Sequence, residues 1–105
     1  ELKTLEEFKE KIGGSKQVII DFTATWCGPC KMISPIFEKL SEQQEFSGVE
    51  FYKVDVDDAS AIAQECGIRA MPTFKLFKDG PVVGDLQGVN PTGLQALVQK
   101  AVADA

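Results

Sequence analysis

Residues 18–30 have the sequence VIIDFTATWCGPC, an apolar run that leads into two cysteines separated by two residues. Apolar, β-branched runs of this kind are typical of buried strands, and helical spacing begins directly after the second cysteine. Cys27 and Cys30 therefore lie one turn apart at the start of a helix, close enough to form a disulfide. Because so small a ring stabilises a fold very little, the pair indicates redox chemistry rather than a structural crosslink.

The junction between strand and helix predicts different roles for the two thiols. Cys27 falls at the N-terminus of the helix, where free N–H groups and the positive end of the helix dipole stabilise a thiolate. Cys30 lies one turn further in, so we expect it to be more buried and less acidic. We predict that Cys27 attacks an external disulfide and that Cys30 resolves the mixed disulfide.

The sequence contains no histidine, so another group must take the proton when Cys30 reacts. Asp21 is the candidate, because it interrupts a run that otherwise has the composition of a buried strand. Burial would raise the pKa of Asp21 toward neutrality, whereas the alternative is an aspartate that faces water at a strand end. Lys53, in a second apolar run, either holds the ionised form of Asp21 or is a solvated edge lysine.

Composition limits the class of protein. With 105 residues and 44% hydrophobic content, we expect a single domain over residues 1–105. A net charge of -5 disfavours nucleic-acid binding, and no run approaches the roughly 18 apolar residues that span a bilayer. Three cysteines without histidine are too few for a zinc site. They also do not resemble a secreted disulfide framework, so we expect a reducing, cytoplasmic location.

Periodicity and capping residues predict the order helix, strand, helix, strand, helix, hairpin, helix. Thr4-Leu5-Glu6-Glu7 is a capping box, Asp57 or Asp58 is expected to cap the third helix, and Asn90 the last. The apolar face of the second helix is predicted to comprise Met32, Ile33, Ile36, Phe37 and Leu40. A helical crossover makes the first two strands parallel, while the hairpin at Asp79-Gly80 adds antiparallel strands. We therefore predict a mixed sheet with helices on both faces.

Taken together, these residues resemble the thioredoxin family, of the eukaryotic cytosolic type. The matching features are WCGPC at residues 26–30, Asp21 before it, Pro35 after it, Met-Pro-Thr at residues 71–73, and Gly88. The resemblance covers nearly the whole chain. It implies the α/β thioredoxin fold, a mixed central sheet with a C-terminal antiparallel hairpin, flanked by four helices. The first strand is expected to be shortened, because the capping box already begins at Thr4.

The resemblance also implies an activity, that of a protein-disulfide reductase carrying electrons by dithiol–disulfide exchange with no bound cofactor. Reducing equivalents would come from NADPH through a thioredoxin reductase, and the protein would act as a monomer. Its other partners would be disulfide-containing proteins, for example peroxiredoxin-type enzymes. The Met71–Pro72 peptide would be cis, and Asp57 would orient the Trp26 indole. The substrate-binding patch around Cys27 would comprise Trp26, Gly28, Pro29, Ile68, Met71, Pro72, Thr73, Gly88 and Val89.

Other interpretations stay open at this point. An oxidase or isomerase of the secretory pathway shares the fold and spacing, but such domains tend to have a histidine between the cysteines, and this chain ends without a retention tetrapeptide. A binding module could use the apolar patch with the thiols acting only as a switch. Cys66, the third cysteine, is expected to be a buried, inert side chain, with a redox-sensing or dimerising thiol as the alternative.

Overall fold

The computed structural model describes residues 1–103; Asp104 and Ala105, the end of the predicted domain, lie outside the described residues. The helices are α1 (Leu5–Ile12), α2 (Gly28–Glu42), α3 (Ser60–Glu65) and α4 (Pro91–Ala103). The strands are β1 (Gln17–Thr23), β2 (Val49–Asp55), β3 (Thr73–Phe77) and β4 (Val82–Gln87), and a 3₁₀ turn covers Gln44–Phe46. This order of elements confirms the predicted one. No helix within residues 1–103 is long and apolar enough to cross a membrane.

The strands form one mixed sheet in the order β2-β1-β3-β4. β1 and β2 are parallel, with Asp21 opposite Lys53, whereas β3 is antiparallel to both β1 and β4. The hairpin between β3 and β4 turns at Asp79 and Gly80, whose φ angles of 56° and 112° are the positive values that such tight turns require. The predicted mixed sheet, with one parallel pair and a C-terminal hairpin, is confirmed.

Alternation along the strands builds an apolar core on each face of the sheet. On one face, β1 contributes Ile19, which packs with buried side chains of α2 and α4 such as Ile33, Phe37, Leu94 and Val98. On the other face, β1 contributes Val18, Ile20 and Phe22, which pack with Phe8 of α1 and Ile62 of α3. Successive strand residues point to opposite faces, so the unbroken apolar run of β1 is explained by helices on both sides.

Two of the three predicted caps are present. Thr4 and Glu7 form both bonds of the capping box, and the Asn90 side chain accepts a bond of 2.9 Å from the Gly93 N–H. The prediction that Asp57 or Asp58 caps α3 was wrong, because the N-cap is Ala59 and has no side-chain bond. Instead, the Asp55 carboxylate accepts bonds from the N–H groups of residues 57 and 58, which fixes a turn before the helix starts.

Met32 was also predicted wrongly, because its side chain is 70% exposed instead of joining the apolar face of α2. The buried positions of α2 are Cys30, Ile33, Phe37 and Leu40, which follow the helical repeat. Consecutive side chains leave a helix about 100° apart, so the side chain of Met32 points to one side of the buried stripe although Met32 directly precedes Ile33 in the sequence.

The chain before α1 contacts the outer edge of β2. Leu2 is buried, and its N–H donates a 2.9 Å bond to the Lys53 carbonyl. No strand precedes α1 in the described part of the chain, so the expected shortened first strand is reduced to this backbone hydrogen bond.

Candidate active site

The two motif cysteines form a disulfide at the N-terminus of α2. Cys27 is the N-cap residue, Pro29 occupies the first turn, and the two Cα atoms are 5.3 Å apart. The Cys27 sulfur accepts a 3.2 Å bond from the backbone N–H of Cys30. The sulfur therefore lies where the free N–H groups of a helix point, which favours negative charge on it once the disulfide opens.

Both cysteines are largely covered in this oxidised form. Cys27 is 5% exposed and Cys30 is 1% exposed, an order that agrees with the predicted outer and inner thiols. Ala24 is buried with them, and Val56 and Met71 pack against the pair. Of the two cysteines, Cys27 therefore offers a reaction partner the more accessible surface.

The loop before β3 lies beside this pair. The Met71–Pro72 peptide is cis, as the resemblance implied. The Pro72 carbonyl accepts a 2.9 Å bond from the N–H of Gly88, and the Thr73 hydroxyl donates to the Ala70 carbonyl. Gly88 has a φ of 89°, which a residue with a side chain rarely adopts. These bonds hold the cis loop and the end of β4 together as one surface.

The predicted substrate-binding residues differ in how much surface they offer. Trp26, Gly28, Pro29 and Val89 are exposed, while Ile68, Met71 and Gly88 are half-buried. The side chains of Pro72 and Thr73 are buried. Seven of the nine predicted residues thus present accessible surface, and the side chains of the other two do not.

Trp26 is the most exposed large residue of the patch, at 66%, yet its indole is held in place. Its Nε1–H donates a 2.8 Å bond to the Asp57 carboxylate. This is the contact expected from the family resemblance, and it explains why Asp57 does not cap α3.

Asp21 is fully buried on β1, so the alternative of a water-facing aspartate was wrong. Within residues 1–103, neither of its carboxyl oxygens has a hydrogen-bond partner. Burial raises the pKa of Asp21 to about 7, while Lys53 acts to lower that pKa and Glu38 acts to raise it. A carboxyl group with this pKa can both accept and donate a proton near neutral pH.

Lys53 is neither a tight counter-ion of Asp21 nor a fully solvated lysine. Its ammonium group lies 3.9 Å from the Glu38 carboxylate, and the two side chains are 40% and 62% exposed. Both residues line a cavity of about 370 Å³ beside the active-site helix. Sequence reasoning missed Glu38, because nothing in its spacing indicates a contact with a strand.

Cys66 stands apart from this site. It is a free, half-buried thiol at the C-cap of α3, and burial raises its pKa to about 11. A thiol with so high a pKa stays protonated near neutrality, which agrees with the expected inert side chain. In the described residues no group of three or more Cys, Asp or Glu is placed to hold a metal ion.

A disulfide across the first turn of a helix, beside a cis-proline loop on a mixed sheet, defines a thiol–disulfide oxidoreductase. The model of the thioredoxin family matches residues 1–100. A thioredoxin from Coprinus comatus is 54% identical over 102 residues, which cover 97% of this chain and 96% of that protein. The human thioredoxin is 45% identical over 104 residues, 97% of each chain.

A solved structure shows the same relationship. The thioredoxin of Malassezia sympodialis superposes with a TM-score of 0.93 at 52% identity, covering 96% of this chain and 90% of that one. The chain therefore belongs to the thioredoxin family, and these relatives all come from eukaryotes, as predicted. Its redox-active pair is Cys27 and Cys30.

Proposed function

We propose that this protein is a general protein-disulfide reductase in which Cys27 attacks, Cys30 resolves and Asp21 carries the proton. The observation that supports the proposal most directly is the Cys27 sulfur at the N-cap of α2, bonded to a helix N–H and less covered than Cys30. The Asp21 carboxyl group accepts no hydrogen bond within the described residues and has a pKa of about 7, so it would supply the base that a chain without histidine needs.

In the first step, the Cys27 thiolate attacks one sulfur of the substrate disulfide. A bond forms between Cys27 and that sulfur, the substrate disulfide breaks, and the other substrate sulfur leaves as a thiolate that takes a proton. The exposed residues around Cys27 would hold an extended substrate segment, which could pair with the backbone beside Pro72.

In the second step, Cys30 passes its proton to the Asp21 carboxylate and attacks the Cys27 sulfur. The Cys27–Cys30 disulfide forms, and the second substrate sulfur leaves and is protonated. The substrate gains two electrons from this protein and two protons from the solvent, while the proton of Cys30 stays on Asp21. When the disulfide is reduced again, Asp21 returns its proton to Cys30.

The source of electrons and the partners form part of the proposal. NADPH would supply two electrons through a thioredoxin reductase, so this chain needs no bound cofactor of its own. A structural relative, 45% identical with a TM-score of 0.87, comes from work on thiol resolution in a yeast mitochondrial 1-Cys peroxiredoxin by the glutathione and thioredoxin systems. By analogy, peroxiredoxin-type enzymes are proposed substrates, and the protein would act as a cytoplasmic monomer.

The assignment of the two thiols is tested with insulin as the disulfide substrate and dithiothreitol as the reductant. The variant Cys30→Ser, once reduced, should form a stable mixed disulfide with insulin through Cys27, detected by mass spectrometry without reductant. Cys27→Ser should form no such adduct, and Cys66→Ser should keep full turnover. An adduct on Cys30 in Cys27→Ser, with none on Cys27 in Cys30→Ser, would reverse the two roles.

Asp21 and the enzymatic character are tested separately. Asp21→Asn should slow release of the mixed disulfide much more than its formation, because only the second step needs the base. Equal slowing of both steps would exclude Asp21 as the proton carrier. A binding module, in contrast, would act on its partner unchanged after both Cys27 and Cys30 are replaced by serine.

A further inference from the structure

Lys53 and Asp21 are placed as a potential ion pair, yet they do not form one. They are register partners on the parallel strands β2 and β1, so their side chains leave the same face of the sheet. A lysine at that position is within reach of the carboxyl group of its neighbour. In the part of the chain that the structure describes, however, both oxygens of Asp21 lack a hydrogen-bond partner.

The ammonium group of Lys53 is instead paired with Glu38. Glu38 belongs to α2, which packs over this face of the sheet, and its carboxylate lies 3.9 Å from the Lys53 nitrogen. Both side chains are partly exposed, so the pair lies at the mouth of the cavity and not in the core. Glu38 and Asp21 are thus two carboxyl groups that compete for one lysine.

We propose that Glu38 is a positioning residue, which holds the ammonium group of Lys53 at the cavity mouth and so keeps it from pairing with the buried carboxyl group of Asp21. This inference rests on the proposed role of Asp21 as the proton carrier. A carboxylate held in an ion pair gives up its capacity to accept a proton, so the competition by Glu38 preserves a usable base.

The charges around the cavity agree with this role. Those that line it are Glu1 from the N-terminal segment, Lys31 and Glu38 from α2, and Lys53 and Asp55 from β2. Of these, Lys53 acts to lower the pKa of Asp21 and Glu38 acts to raise it, both less strongly than burial. Loss of the Glu38 charge should therefore lower the pKa of Asp21 for two reasons. It removes a like charge, and it releases Lys53, which can then approach Asp21.

The first measurement is the titration of the Asp21 carboxyl carbon by NMR in the oxidised protein. Glu38→Gln should lower its midpoint by about one pH unit, the low end of the effect of a nearby opposite charge. Glu42→Gln is the matched control, because Glu42 is an exposed glutamate of the same helix that does not line the cavity. Equal shifts in the two variants would overturn the inference, since a general loss of negative charge would then explain both.

A double-mutant cycle separates action through Lys53 from direct repulsion. Lys53→Gln alone should raise the midpoint of Asp21. In that background, Glu38→Gln should produce less than half of the shift that it produces in the parent protein, because the lysine that it releases is gone. An undiminished shift in the Lys53→Gln background would show that Glu38 acts directly on Asp21, and would overturn the proposed positioning role.

Kinetics distinguish this inference from the proposed function. If both are correct, the rate of resolution of the mixed disulfide depends on pH with a midpoint, and Glu38→Gln lowers that midpoint by the same number of pH units as the NMR midpoint of Asp21. A shifted NMR midpoint with an unmoved profile supports the coupling of Glu38 to Asp21 and removes Asp21 as the base. An unmoved NMR midpoint overturns the coupling, while Asp21→Asn still decides the role of Asp21 independently.

Discussion

The free energy of unfolding of the oxidised protein is expected to fall as pH rises, because Asp21 ionises. Replacement of Asp21 by asparagine should abolish this fall. Asp21 is fully buried, neither of its oxygens has a hydrogen-bond partner among residues 1–103, and burial raises its pKa from 3.8 to about 7. In the unfolded chain the group titrates near its ordinary pKa, so the folded protein binds this proton more tightly. The stability that this group contributes is full below about pH 4 and is lost as pH rises to about 7.

The magnitude follows from the difference between the two pKa values. An interval of about three pH units corresponds to about 4 kcal/mol in the free energy of unfolding. Because Asp21 has no exposed surface, solvent does not screen this cost. Asparagine has the same shape and no charge at any pH. We therefore expect the free energy of unfolding of Asp21→Asn, relative to that of the parent protein, to rise by up to about 4 kcal/mol between about pH 4 and pH 8.

Urea unfolding of the oxidised forms, followed by far-UV circular dichroism at each pH, measures this gain. Asp58→Asn is the control, because Asp58 is an exposed aspartate and undergoes the same chemical change. The difference between Asp21→Asn and the parent protein should grow steadily with pH, while that of the control stays flat. A difference for Asp21→Asn that stays constant within about 1 kcal/mol over this range would refute burial as the cause of the raised pKa.

Two further predictions concern the scaffold and are measured by the same unfolding assay. Gly88→Ala should lose about 1–2 kcal/mol, because Gly88 has a φ of 89° that alanine adopts only with strain. Gly48→Ala is its control, because an added Cβ would meet no atom within 4 Å at either position, whereas only Gly88 has a positive φ. Equal losses of stability in the two variants would contradict the argument from strain. Thr4→Ala should lose about 1 kcal/mol by removing the cap of α1, and an unchanged stability would show that the Glu7 side chain suffices.

The sequence determines the elements well where local chemistry is unambiguous. The Thr4 capping box, the apolar run of β1 and the Asn90 cap all depend on residues within one turn of each other, and the structure contains each of them. Asp21 was also identified correctly as a buried carboxylate, because its apolar neighbours on both sides in the sequence belong to a strand that is covered on both faces.

The errors and omissions arise where distant or competing contacts decide the outcome. Asp57 was a good capping candidate by residue type, but the Trp26 indole already occupies its carboxylate, and the Asp55 side chain fixes the turn before α3. Met32 is apolar yet points beside the buried stripe, a difference of direction that composition does not show. The pair of Glu38 and Lys53 joins a helix to a strand, and helical or strand spacing within one element carries no information about it.

The disulfide that defines the site closes across a single turn at one end of α2. Neither cysteine belongs to a strand or to either of the two large apolar cores. We therefore expect the reduced and oxidised forms to present nearly the same surface to a partner. A partner that accepts electrons and one that supplies them would then meet an almost identical surface. Which of them leaves with the electrons would be decided by relative reduction potential, not by shape.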